Sequence, residues 1–196
     1  MNITLKAAPG EAPIRLGSFP DLYAPGSYAG KETSYGAQFM IPKGTKAWTD
    51  FEAAVKRFFK DSFGDAAQTA FSKQQSGTAK VFRDGDSVDG LTSDGNPRTG
   101  WAGHYRVKAS TRYAPKIVGL DLQPITEESG AIYAGCNVSA QITLYARRDS
   151  KEIGIRLLAV QKVADNEPFA GGAGAGVDLS AFGPAQEAPA ADKAEW

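Results

Sequence analysis

Apolar and polar residues alternate along much of this chain, and the alternation predicts its strands. In NVSAQITLYAR, Val138, Ala140, Ile142, Leu144 and Ala146 point one way. Ser139, Gln141, Thr143, Tyr145 and Arg147 point the other, a period of two that defines the longest strand. After a turn at Arg148–Lys151, the run IGIRLLAVQKV predicts a further strand and so a terminal hairpin. HYRVKAS sets Tyr105, Val107 and Ala109 against His104, Arg106 and Lys108. Ala37, Phe39 and Ile41 alternate with Gln38 and Met40 until Pro42 and Gly44 close the run, and KVFR (Lys80 to Arg83) is a shorter strand ended by Asp84-Gly85.

One stretch breaks this period. Phe51, Val55, Phe58 and Phe59 share a helical face, Thr49 and Glu52 read as a capping box, and Gly64 reads as a stop. A shorter helix is expected around Ala66 to Phe71, and the turn-rich segments 14–36 and 84–100 are expected to be long loops. Five or more strands with an inserted α-helix predict a mainly β fold, an OB-fold-like five-stranded barrel.

Composition changes this picture at the C-terminal end. The segment from Ala170 to Glu195 is rich in Ala, Gly and Pro, and Val177, Leu179 and Phe182 are too sparse to bury a face. Residues 1–170 are therefore read as one domain and 171–196 as a disordered acidic tail ending in Trp196. The net charge of zero conceals a division. Asp178, Glu187, Asp192 and Glu195 against Lys193 give the tail −3 and leave the body at +3, so the two parts can attract one another. No apolar run approaches the ~20 residues that span a bilayer, so no membrane partner is expected. The lone Cys136 and the absence of a secretory signal in MNITLKAAPG point to a cytoplasmic protein.

Reactive constellations are missing. The single His104 and Cys136 stand 32 positions apart, and no phosphate loop, nucleophile elbow or zinc-helix motif is present. Cys136 reads as a small buried thiol at the start of a core strand, and His104 as a polar-face imidazole beside Arg106. DGDSVDG (Asp84 to Gly90) gathers carboxylates but departs from a calcium loop in spacing and lacks its closing Glu, so an acidic turn is the better reading. No catalytic residue, metal or other cofactor is expected.

What remains is a pattern of basic and aromatic residues. Single strands are held by rings that stack on bases and by cations that follow phosphates. Tyr145 and Arg147 share a strand face beside Arg148, and Arg106 and Lys108 share another. STRYAPK adds Arg112, Tyr113 and Lys116, GWAG presents Trp101, and Lys80, Phe82 and Arg83 form one more cluster. Each has a plainer reading: Tyr145 as a cross-strand partner, Trp101 as a lid on the barrel, Arg147 and Arg148 as a solubilising hairpin end.

The central and C-terminal parts resemble the tailed-bacteriophage single-stranded DNA-binding proteins of the OB-fold type. The resemblance is carried by RDGD (Arg83–Asp86), GHYRVKAST (Gly103–Thr111) with Pro115, PITEESGAIYAGCNVSAQITLYA (Pro124–Ala146) and GIRLLAVQKVADNEPFAGG (Gly154–Gly172), and covers most of residues 37–172. It implies a barrel that binds single strands without sequence preference and protects them in phage replication or recombination, in the host cell cytoplasm. GLTSDGNPRTGWAG (Gly90–Gly103) departs from the family pattern as an insertion carrying Trp101. The tail is similar to those of functionally similar bacterial and phage proteins. That similarity implies that it competes for the groove and that Asp192, Glu195 and Trp196 dock on phage or host replication proteins. The alternative is a phage structural or assembly protein that uses barrel and tail for protein contacts; the oligomeric state is left open.

Overall fold

The predicted hairpin supplies two walls of a closed barrel. The computed structural model describes residues 1–169 apart from Phe19 and Arg148, without the Tyr28 side chain. In chain order the elements are β1 (Asn2–Leu5), β2 (Arg15–Leu16), β3 (Ser27–Tyr28), β4 (Lys31–Glu32), β5 (Tyr35–Pro42), α1 (Lys46–Phe63) and α2 (Ala67–Ser76). There follow β6 (Arg83–Asp84), β7 (His104–Thr111), β8 (Lys116–Val118), β9 (Asn137–Arg147) and β10 (Glu152–Ala164). Strands β2, β5, β7, β10 and β9 pair in that order, and Arg15 opposite Asn137 returns β2 to β9 and closes the ring. Within this ring the contacts are antiparallel except β7 with β10, where Arg156 meets Ser110 in parallel, and outside it β8 also pairs with β10 in parallel. This is the mainly β, five-stranded barrel of the OB type that the alternation predicted.

The interior is built by the residues that alternate inward. Phe39 and Ile41 from β5, Val107 from β7, Ile142 and Leu144 from β9, and Leu157 and Val160 from β10 are all buried. A bulge between Leu157 and Ala159 resets the phase of β10, so Leu158 faces out and Val160, not Ala159, is enclosed. Cys136 is fully buried, and burial pushes its thiol pKa up.

The helices sit between β5 and β7 in sequence. Trp48, Phe51, Val55 and Phe59 bury the inner face of α1, with Phe58 packed partly buried against the core and Gly64 ending it at φ 54°. The cap lies four residues earlier than the Thr49–Glu52 pattern suggests. Thr45 is the N-cap, its hydroxyl accepting from Trp48 N at 3.3 Å and donating to Pro42 O at 2.8 Å, while Thr49 is exposed in the first turn. Helix α2 continues past Phe71 to Ser76, and its buried Gln74 donates to Ile153 O (2.8 Å) and accepts from Ile153 N (2.9 Å), fastening α2 to the start of β10.

Two further expectations need correction. Of KVFR only Arg83 enters a strand, and it pairs with Arg106. Segment 14–36 is not all loop, because β2 is a wall of the barrel and Ile14, Leu16 and Leu22 are core residues. The acidic tail 171–196, with Asp192, Glu195 and Trp196, lies outside the described residues, as does Arg148.

Candidate nucleic-acid interface

The outward faces of β7, β9 and β10 meet in a groove centred on Tyr145. In the β9–β10 register Tyr145 stands opposite Gly154, and Thr143 opposite Arg156. The half-buried Tyr145 ring has the Arg147 guanidinium 5.9 Å and the Arg156 guanidinium 5.5 Å from its centroid. On one side the groove runs past Arg106, Lys108, Lys80 and Arg83, and on the other past Arg112, Tyr113 and Ser34. Tyr145 and Ser110 line both parts, and no acidic side chain lines either among the described residues. Tyr113 at the far end is 81% exposed.

Arg106 stands at the centre of the charge. Its Nε donates to Gln38 Oε1 at 2.7 Å, and its guanidinium lies 5.2 Å from the Trp101 ring centroid. It has no carboxylate partner among the described residues, and Arg83 is its neighbour across the β6–β7 register. Burial, then repulsion from Arg83 and Arg98, pushes its pKa down to about 10 against the opposing pull of Asp89. It stays a full cation at neutral pH.

The structure brings Tyr145, Arg147, Arg106, Lys108, Arg112, Tyr113, Lys80 and Arg83 to this groove. Lys80 and Arg83 arrive paired, holding Asp89 at 2.5 and 2.8 Å. Arg147 lies 3.8 Å from Glu152. Three other residues are placed elsewhere. Trp101 is only 9% exposed and folds onto Met40 and Phe169 with Arg98 5.4 Å from its centroid, which is the lid arrangement and not an exposed indole. Phe82 packs edge-on against Trp48 (4.8 Å) and Tyr105 (5.5 Å) in an aromatic cluster under α1. Lys116 lies on β8, beside a separate hollow with Val118 and Leu122.

The acidic turn neutralises cations of its own chain. Asp84 and Asp86 hold Lys43 at 2.5 and 2.8 Å, and Asp89 holds the pair already named. Among the described residues no group of three metal-type side chains gathers. His104 makes a local contact, Nδ1 to Ala102 O at 2.7 Å. Arg156 was missed in the sequence. The signal was available, because Ile153, Ile155 and Leu157 are inward and so put Gly154 and Arg156 on the outer face.

A family model described as Enterobacter phage Enc34, ssDNA-binding protein, matches residues 10–191. Protein p50 of Acyrthosiphon pisum secondary endosymbiont phage 1 is 29% identical over 170 residues, covering 84% of this chain and 88% of that one. The single-stranded DNA-binding protein from bacteriophage Enc34, in a C-terminal truncation, matches with a TM-score of 0.55 and 23% identity over 86% of this chain and 88% of its own. The same protein in complex with ssDNA matches with a TM-score of 0.55 and 24% identity over 85% and 88%. At these identities the structural likeness is one of fold.

Proposed function

The chain belongs to the family of the Enterobacter phage Enc34 ssDNA-binding protein, and from that premise we propose that it binds single-stranded DNA without sequence preference along the Tyr145 groove. The observation that carries the site is the grouping of the Tyr145 ring, two flanking arginines and the half-buried Arg106 on one face with no acidic side chain lining it among the described residues. A base stacks on a ring whatever its identity, because every base has a π-face. Arg106, Lys108, Arg147, Arg156 and Arg112 release the cations condensed on the phosphates they neutralise, which makes the affinity fall with salt. A duplex has its bases already stacked, so it gains only the electrostatic part.

Binding is then the whole chemistry, with no catalytic step and no cofactor. The protein covers single strands during phage replication or recombination in the host cytoplasm. Residues 1–170 form the binding domain, and the tail 171–196 presents Asp192, Glu195 and Trp196 to a replication partner. The family's description supports single-strand binding, and the tail's charge of −3 with its terminal aromatic supports partner recruitment.

Fluorescence anisotropy with labelled single- and double-stranded oligonucleotides at two salt concentrations tests the central function. Tight, salt-weakened binding of single strands of any sequence is expected. Absence of binding at low salt would sink it. Tyr145→Ala should weaken binding by about 1–3 kcal/mol if the ring stacks on a base.

A further inference from the structure

Gly154 lies in the middle of the barrel hairpin, where glycine weakens a strand and needs a reason. Its backbone supplies none, since its φ is outside the left-handed region and any residue would adopt it. The reason is space. A Cβ placed on Gly154 would stand 2.6 Å from Tyr145 Cε1 and closer still to Cζ and the hydroxyl oxygen. The Tyr145 ring therefore lies across the β10 backbone at the point where β10 has no side chain, directly opposite in the register. Gln74 holds this stretch of β10 in place by bonding both backbone groups of Ile153. Arg147 and Arg156 bracket the ring at 5.9 and 5.5 Å.

We infer that Gly154 is a positioning residue for nucleic-acid binding: its missing side chain lets the Tyr145 ring lie flat on the sheet with one face turned to the groove, as a fixed platform for a base. A ring supported this way has lost its rotamer freedom before the ligand arrives, so stacking costs little further entropy. The inference rests on the single-strand binding proposed above. Its rival is purely structural: an aromatic ring that covers a cross-strand glycine also stabilises a sheet. The two differ in what they do to DNA binding by folded protein.

The test compares wild type, Tyr145→Ala, Gly154→Ala and the double variant by anisotropy with oligothymidylate across a salt series, with circular dichroism as the check of folding. Each single variant should weaken binding roughly tenfold or more. The double variant should bind no worse than Tyr145→Ala alone. The slope of log affinity against log salt should stay unchanged in all of them, because no phosphate contact is removed. A Gly154→Ala protein that binds as wild type overturns the inference, and so do additive losses in the double variant. A wild type that fails to bind at all overturns the single-strand reading itself, a distinguishable result. Photocrosslinking of wild type to an oligonucleotide containing 5-iodouracil does not depend on how the variant folds. The crosslink should map to Tyr145, and crosslinks found only at other residues would overturn the assignment.

Discussion

Arg106 is a cation kept among cations, and that makes it the residue most in need of an anion. A half-buried guanidinium with no carboxylate partner among the described residues is costly, and the contacts with Gln38 and Trp101 offset only part of the cost. Arg106→Gln should weaken single-strand binding and make it less salt-dependent, lowering the slope by about 0.7 if one phosphate contact is lost. An anisotropy salt series checks this, and an unchanged slope would take Arg106 off the phosphate path. Asp89 is its counterpart. It occupies Lys80 and Arg83 as a phosphate would, so Asp89→Asn should bind single strands more tightly at low salt and with a steeper slope. Burial pushes the Asp89 carboxyl up, but hydrogen bonds and charge from Lys80 and Arg83 outweigh it and hold the pKa below its ordinary value. A depressed carboxylate contributes stability above its unfolded pKa, which is lost as pH falls through the folded one. Thermal melts at about pH 7 and pH 3 should therefore show wild type losing more stability on acidification than Asp89→Asn. Equal losses would contradict the pairing.

At the scale of elements, the N-terminus of α1 offers a clean comparison. Thr45→Ala removes a buried cap and should cost about 1 kcal/mol, or roughly 2–4 °C in melting temperature. Thr49→Ala, at the exposed position that the sequence pattern favoured, should change little. Differential scanning calorimetry of the two variants decides between them. What was legible in the sequence follows from length and period. Strands β5, β7, β9 and β10 each span eight or more residues, long enough for alternating apolar and polar residues in the sequence to mark their faces. β2 has two residues and β8 three, too few to show any alternation, so both were missed. The basic groove was legible in part because Arg106, Lys108, Tyr145 and Arg147 lie on predicted outer faces. The fate of Trp101 was not, because it depends on Met40 and Phe169, which reach it from distant segments. The pairing of Lys80 and Arg83 with Asp89 was equally hidden, since it requires the turn after β6 to fold back on the segment before it.

For the molecule as a whole, the parallel contact of β7 with β10 sets the course of the proposed binding groove. It brings Ser110 against Arg156 and so joins the two parts of the groove into one path from Lys80 and Arg83 to Arg112 and Tyr113. Charge is divided on the same scale, with +3 on residues 1–170 and −3 on the tail. If the tail competes for the groove, a chain ending at Gly172 should bind single strands somewhat more tightly at low salt and equally at physiological salt, since screening removes so weak a competitor. Anisotropy of the two forms side by side measures it, and equal affinity at low salt would leave partner recruitment as the tail's only proposed role. A crystal structure of the complex with oligothymidylate shows where the single strand lies. It should show a base on the open face of Tyr145 with phosphates near Arg106, Lys108, Arg147 or Arg156. A strand lying instead along β8, or between α1 and α2, would contradict it.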